Sequence, residues 1–93
     1  MDTDVVLEFL KADLEIIPEN TLQDSYLLQL IESASGMIKR EGISLTDSAE
    51  DVQLVTMYAA YLYRKRATAD PVMPRMLRYA LNNRLFSSKM GES

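Results

Sequence analysis

Cysteine, histidine and tryptophan are all absent from these 93 residues. Without cysteine there is no disulfide and no thiolate nucleophile. Without histidine as well, there is no Cys/His zinc site, no Ser-His-Asp triad and no imidazole to carry a proton. Glycine and proline are scarce, three of each, and they fall where helices would stop or start. No long apolar run exists either. The longest is Met57 to Tyr63, far short of the roughly 20 residues a membrane helix needs. The opening Met1-Asp2-Thr3-Asp4 is acidic where a secretory leader would be basic, and no apolar stretch follows. The expectation is a protein that works in the compartment where it is made, with no membrane partner.

What is present is 47% hydrophobic and 26% charged, the composition of a globular domain and not of a disordered chain. The length suits one domain over residues 1–93, with a single core. The charge is uneven. Residues 1–52 carry twelve acidic and three basic side chains, a balance of −9. Residues 53–93 carry two and seven, a balance of +5, and the total is −4. One reading is chance combined with helix-dipole matching. The other is that the acidic part of one copy faces the basic part of the next, a head-to-tail contact that can close into a ring.

Apolar spacing predicts an all-α fold, a small bundle of about four helices with short loops and a mobile C-terminal tail. The first helix spans about 4–14, with Thr3 as N-cap and Val5, Val6, Phe9 and Leu10 as its apolar face. Ile17-Pro18 closes that unit, since a residue before proline resists the helical region. The second helix spans about 22–41, begun by Asn20 or Thr21. Its stripe is Leu27, Leu30, Ile31, Ala34 and Ile38, spaced for one face. Gly42 is the expected residue just past its end. Asp47 and Ser48 each precede an acid by three positions, Glu50 and Asp51, a capping arrangement for a third helix over about 49–66. That helix is apolar on every face from Val52 to Tyr63. It must therefore lie at the centre of the subunit or share a face with a neighbour. Asp70-Pro71 and Pro74 frame a linker, and a fourth helix spans about 74–86. Its stripe is Met76, Leu77, Ala80, Leu81 and Leu85, flanked by Arg75, Arg78 and Arg84. The residues from Ser87 are read as the mobile tail.

Candidate chemistry is sparse. Asp2 and Asp4 resemble a D-x-D metal pair but read as solvated capping residues. Glu50 and Asp51 are adjacent on a helix and do not face each other, so they read as dipole compensation. There is no glycine-rich phosphate loop and no nucleophile elbow. No catalytic residue, metal or cofactor is assigned, and the expectation is a non-enzymatic protein. Arg64-Lys65-Arg66 is the densest basic run. It reads as solvated cations on a last helical turn, as part of a protein interface, or as a nucleic-acid patch, the last against a sequence pI near 4.7.

The run Met57-Tyr58-Ala59-Ala60-Tyr61-Leu62-Tyr63-Arg64-Lys65-Arg66 resembles the head–tail connector (head-completion adaptor) family of tailed bacteriophages. So does the run from Met73-Pro74-Arg75 through Asn82-Asn83-Arg84-Leu85-Phe86. The stretches Leu10 to Leu14, Tyr26 to Ala34 and Ile38 to Ile43 fit the same pattern, so the resemblance covers roughly residues 5–87. It rests on overall pattern, the family having no catalytic signature. It implies a small helical virion protein of a phage or prophage, assembled as a homo-oligomeric ring beneath the portal. Such a protein works in the host cytoplasm during assembly and at the head–tail junction afterwards. Its partners would be itself, the portal protein and a tail or stopper protein, with DNA passing through the bore and no sequence-specific binding.

A ring needs a second apolar face and complementary charge. From this, Val55, Tyr58, Tyr61 and Leu62 are expected at a subunit interface, with Arg64, Arg66, Arg75 and Arg78 reaching carboxylates of the adjacent subunit or the portal. Two rivals stand beside this reading: a small helical DNA-binding regulator using the basic half, and an unrelated structural homodimer held by the apolar excess of the third helix.

Overall fold

The computed structural model describes residues 1–66 and 72–91, with side chains through Ser87. Among the described residues there are four helices and no strand: α1 Thr3–Asp13, α2 Asp24–Arg40, α3 Ala49–Lys65 and α4 Arg75–Gly91. The all-α bundle expected from the spacing is the observed fold. Helix α3 packs on each of the other three, and α1 and α2 also pack on each other. Its all-round apolar character is thus explained first by position: α3 is the central helix.

The helix ends are set by identifiable groups. Asp2, not Thr3, caps α1, its carboxylate accepting from the Asp4 N–H at 2.9 Å. Helix α1 stops before Ile17-Pro18. Glu15 takes a positive φ of 61°, with Glu15 N–H donating to Ala12 O and Ile16 N–H to Lys11 O, the paired bonds of a Schellman closure. Helix α2 begins two residues later than the spacing predicts. Asn20 turns its side chain to the Leu22 N–H at 3.1 Å, so the chain makes a polar turn before entering the helix. Gly42 does stand past the end of α2, with φ 99°, and Ser48 does cap α3 through the Asp51 N–H. Helix α4 continues past Phe86 to Gly91. The expected linker around Asp70-Pro71 and the end of the tail, residues 92–93, lie outside the described residues.

The core joins Val6 and Leu10 of α1, Leu27, Ile31, Ala34 and Ile38 of α2, Leu54, Val55, Tyr58, Ala59 and Ala60 of α3, and Leu77 and Leu81 of α4. The α2 stripe is buried as its spacing predicts, apart from half-buried Leu30. Two expected faces are only partly covered. Val5 and Phe9 on α1 and Met76 on α4 point outward, Phe9 and Met76 being 55% and 72% exposed. In α1 the covered side is centred on Val6 and Leu10, where α2 and α3 meet it, and Val5 and Phe9 fall on the opposite flank.

Lys11 stands among these apolar groups at 5% exposure. Its ammonium donates to Asp24 Oδ1 at 2.8 Å and to the Pro18 carbonyl at 3.0 Å, tying the end of α1 to the start of α2. A cation so buried persists because it is paired and hydrogen-bonded.

Candidate docking surface

Helix α4 packs principally on α3, and its placement is set by polar contacts around the α2–α3 loop. Asp51, in the first turn of α3, is fully buried. Arg84 of α4 forks onto its carboxylate, Nε to Oδ1 at 2.6 Å and Nη2 to Oδ2 at 3.1 Å. The same Nη2 reaches the Ser44 carbonyl at 2.9 Å. Thr46 donates to Oδ2 from its N–H at 2.7 Å and from its hydroxyl at 2.8 Å. Burial pushes the Asp51 carboxyl up, but the hydrogen bonds from Arg84 and Thr46 outweigh it and hold the group below its ordinary value. The bond to Asp51 also raises Arg84, against its own desolvation. Six residues earlier on α4, Arg78 pairs with Glu41 at 2.9 Å. Near it, burial and then the Glu41 charge raise the Tyr58 phenol. Leu85 packs over the Gly42 turn.

Between α3 and the start of α4 lies a groove of about 410 Å³. Met57, Tyr61, Val72 and Met76 line it, and Arg64, Lys65 and Asp13 stand at its end. Met57 and Met76 also line a second hollow of about 290 Å³ that extends toward Glu50 and Asn83. The two share these methionines and together form a trough between α3 and α4, apolar along Met57 and Met76 and polar toward Glu50, Gln53 and Asn83.

The residues expected at an interface separate into three groups. Val55 and Tyr58 are corrected: they are 0% and 7% exposed and belong to the subunit's own core, so neither is available to a neighbour in this fold. Tyr61 is half-buried and lines the trough, and Leu62 is half-buried against the core. Three of the arginines already have company within the chain. Arg64 pairs with Asp13 at 3.1 Å, Arg78 pairs with Glu41, and the Arg66 guanidinium sits 4.2 Å from the Tyr63 ring and 5.0 Å from that of Tyr26. Tyr63 is itself held by its hydroxyl donating to Gln23 at 3.0 Å. Arg75 is exposed and makes no ion pair among the described residues. The −9/+5 split is therefore answered in part inside one subunit: Asp13–Arg64, Glu41–Arg78 and Asp51–Arg84 each join the acidic half to the basic half.

Asp51, Thr46 and Arg84 were not legible as a unit. Asp51 reads as a helix-start acid, and nothing local distinguishes it from Glu50, which stays exposed. Met57 and Met76 were visible only as members of apolar stripes. Among the described residues, no three His, Cys, Asp or Glu side chains gather as a metal site, and every buried side-chain nitrogen and oxygen has a hydrogen-bond partner. No protein-family model, curated protein or solved structure matches this chain.

Proposed function

We propose that this chain is a non-enzymatic structural protein of a tailed-bacteriophage virion. It is a ring-forming adaptor that joins the portal of the DNA-filled head to the tail or a stopper, with the genome passing through its bore. The observation that carries this reading is the resemblance over residues 5–87. It is supported by an all-helical bundle that leaves a trough open between α3 and α4, with Lys65 at its end and Arg75 exposed on α4. Interfaces join an apolar centre to a charged rim that sets partner and register. The protein acts in the host cytoplasm during assembly and stays at the head–tail junction. No helix among the described residues is long and apolar enough to cross a membrane.

The test is co-assembly. Purified chain mixed with purified portal rings should co-elute and appear by electron microscopy as a collar on one portal face. Arg75→Glu should weaken that binding with the fold unchanged. Arg78→Glu is a poorer probe, because it would set a second carboxylate against Glu41 and disturb the fold as well. No co-elution at low and moderate salt would overturn the reading. Salt-dependent binding to duplex DNA in its place would favour the regulator, and a two-fold dimer indifferent to portal would favour the unrelated homodimer.

A further inference from the structure

Among the apolar surfaces exposed in the described residues, two are complementary. One is a ridge on α1, where Val5 and Phe9 stand one turn apart and outward, flanked by the exposed acids Asp4 and Glu8. The other is the trough between α3 and α4, with Met57 and Met76 along it and Asp13, Arg64 and Lys65 at one end, where Arg64 pairs with Asp13 and Lys65 stands beside that pair. The ridge is convex, helical and acidic; the trough is concave, flanked by helices, and carries Lys65 beside the Asp13–Arg64 pair at its end. The ridge is short enough to lie within the trough. Eleven residues of α1 span about 16 Å, and the trough, followed along α3 from Glu50 to Arg64, spans about 21 Å.

We propose that the occupant of the trough is α1 of a second copy of this chain, with Phe9 against Met57 and Met76, and with Asp4 and Glu8 toward Lys65. This deepens the adaptor reading and rests on it for its purpose, but the contact is argued from the surfaces themselves. A helix laid in an apolar groove is a recurrent recognition mode, anchored by residues at i and i+4 spacing. The Asp4 and Glu8 charges fix its direction, since reversing the helix would carry them away from the cationic end. Each subunit would offer a ridge to one neighbour and a trough to the other, a heterologous contact that propagates around a ring. The loop residues Ile17 and Leu22 are also exposed, beside Glu15 and Glu19. They lie on a polar turn between helices and present no straight ridge to fill a trough between two helices.

The test uses two variants and their mixture, read by sedimentation velocity at rising concentration. Phe9→Asp destroys the ridge and Met76→Asp the trough. Both positions are exposed, so melting temperatures should stay near that of the wild type. Each variant alone should lose self-association by roughly tenfold or more, the effect of removing a central anchor. Mixed together, the two should form a one-to-one pair and stop there, because one intact ridge meets one intact trough. Charge reversal gives a second readout: Glu8→Arg and Lys65→Glu should each weaken association, and the two reversals combined in one chain should restore it. Leu22→Asp should associate as the wild type does. A wild type that stays monomeric at high concentration, a mixture that forms no pair, or loss of association in Leu22→Asp with Phe9→Asp unaffected would each overturn the proposal. Portal binding is measured separately. A chain that binds portal and fails the mixing test defeats this contact alone, and one that passes the mixing test and ignores portal defeats the adaptor reading alone.

Discussion

Asp51 and Arg84 stand 33 positions apart in the chain and meet as a forked ion pair with Asp51 fully buried and the Arg84 side chain 14% exposed. The pair joins α4 to the start of α3. Removing one partner leaves the other desolvated and unanswered. Asp51→Ala should therefore cost about 3–5 kcal/mol, whereas replacing both partners by apolar side chains, Asp51→Leu with Arg84→Met, should cost much less than either single change. Urea unfolding of the four proteins gives the double-mutant cycle. A double variant as unstable as the sum of the singles would show that the pair contributes through something other than mutual compensation.

Acid should act through the same carboxyl. Its ordinary value is 3.8, and the folded protein holds it lower, its hydrogen bonds to Arg84 and Thr46 overcoming the opposing effect of burial. The unfolded chain then binds the proton more readily than the folded one, so stability rises with pH across that range. The contribution is present in full above the ordinary value and is lost as pH falls through the folded one. Unfolding midpoints measured from neutral pH downward should fall in the acid range, and Asp51→Asn should flatten that part of the curve. An equal slope in the variant would assign the acid response to other carboxyls.

The same substitution should have opposite signs at two glycines. Gly36 lies on the exposed side of α2, and a Cβ there would meet nothing within 4 Å. Gly36→Ala should stabilise by about 0.5–1 kcal/mol, the cost of a mid-helix glycine. Gly42 has φ 99°, a conformation L side chains rarely adopt, and a Cβ there would sit 3.4 Å from Leu85 Cδ1. Gly42→Ala should destabilise by about 1 kcal/mol or more. Thermal melts of the two variants against the wild type check both.

At the end of α1, Glu15 occupies a left-handed conformation with φ 61° that glycine takes without strain. Glu15→Gly should raise stability by a few tenths to about 1 kcal/mol, the relief of a left-handed non-glycine residue less the added freedom of the unfolded chain. Chemical denaturation measures it. A loss of stability would mean that the Glu15 side chain contributes a contact larger than that strain.

Much of this protein was determined by the sequence alone. The residue types exclude thiol and imidazole chemistry, whatever the fold. The period of Leu27, Ile31, Ala34 and Ile38 specifies an amphipathic helix, because only one face of a helix can meet a core. Gly42 and Ser48 set two boundaries because backbone conformation and unpaired N–H groups are local properties. What periodicity does not carry is which apolar face the chain covers itself. Val55 and Tyr58 went inside and Phe9 and Met76 stayed out, although all four belong to apolar stripes, because burial depends on where the other helices lie. Charge behaves in the same way. Asp13–Arg64, Glu41–Arg78 and Asp51–Arg84 join positions 51, 37 and 33 residues apart, and only the packing of the four helices brings them within hydrogen-bonding reach. The trough between α3 and α4 likewise exists only in three dimensions, where the packing of the two helices places Met57 beside Met76.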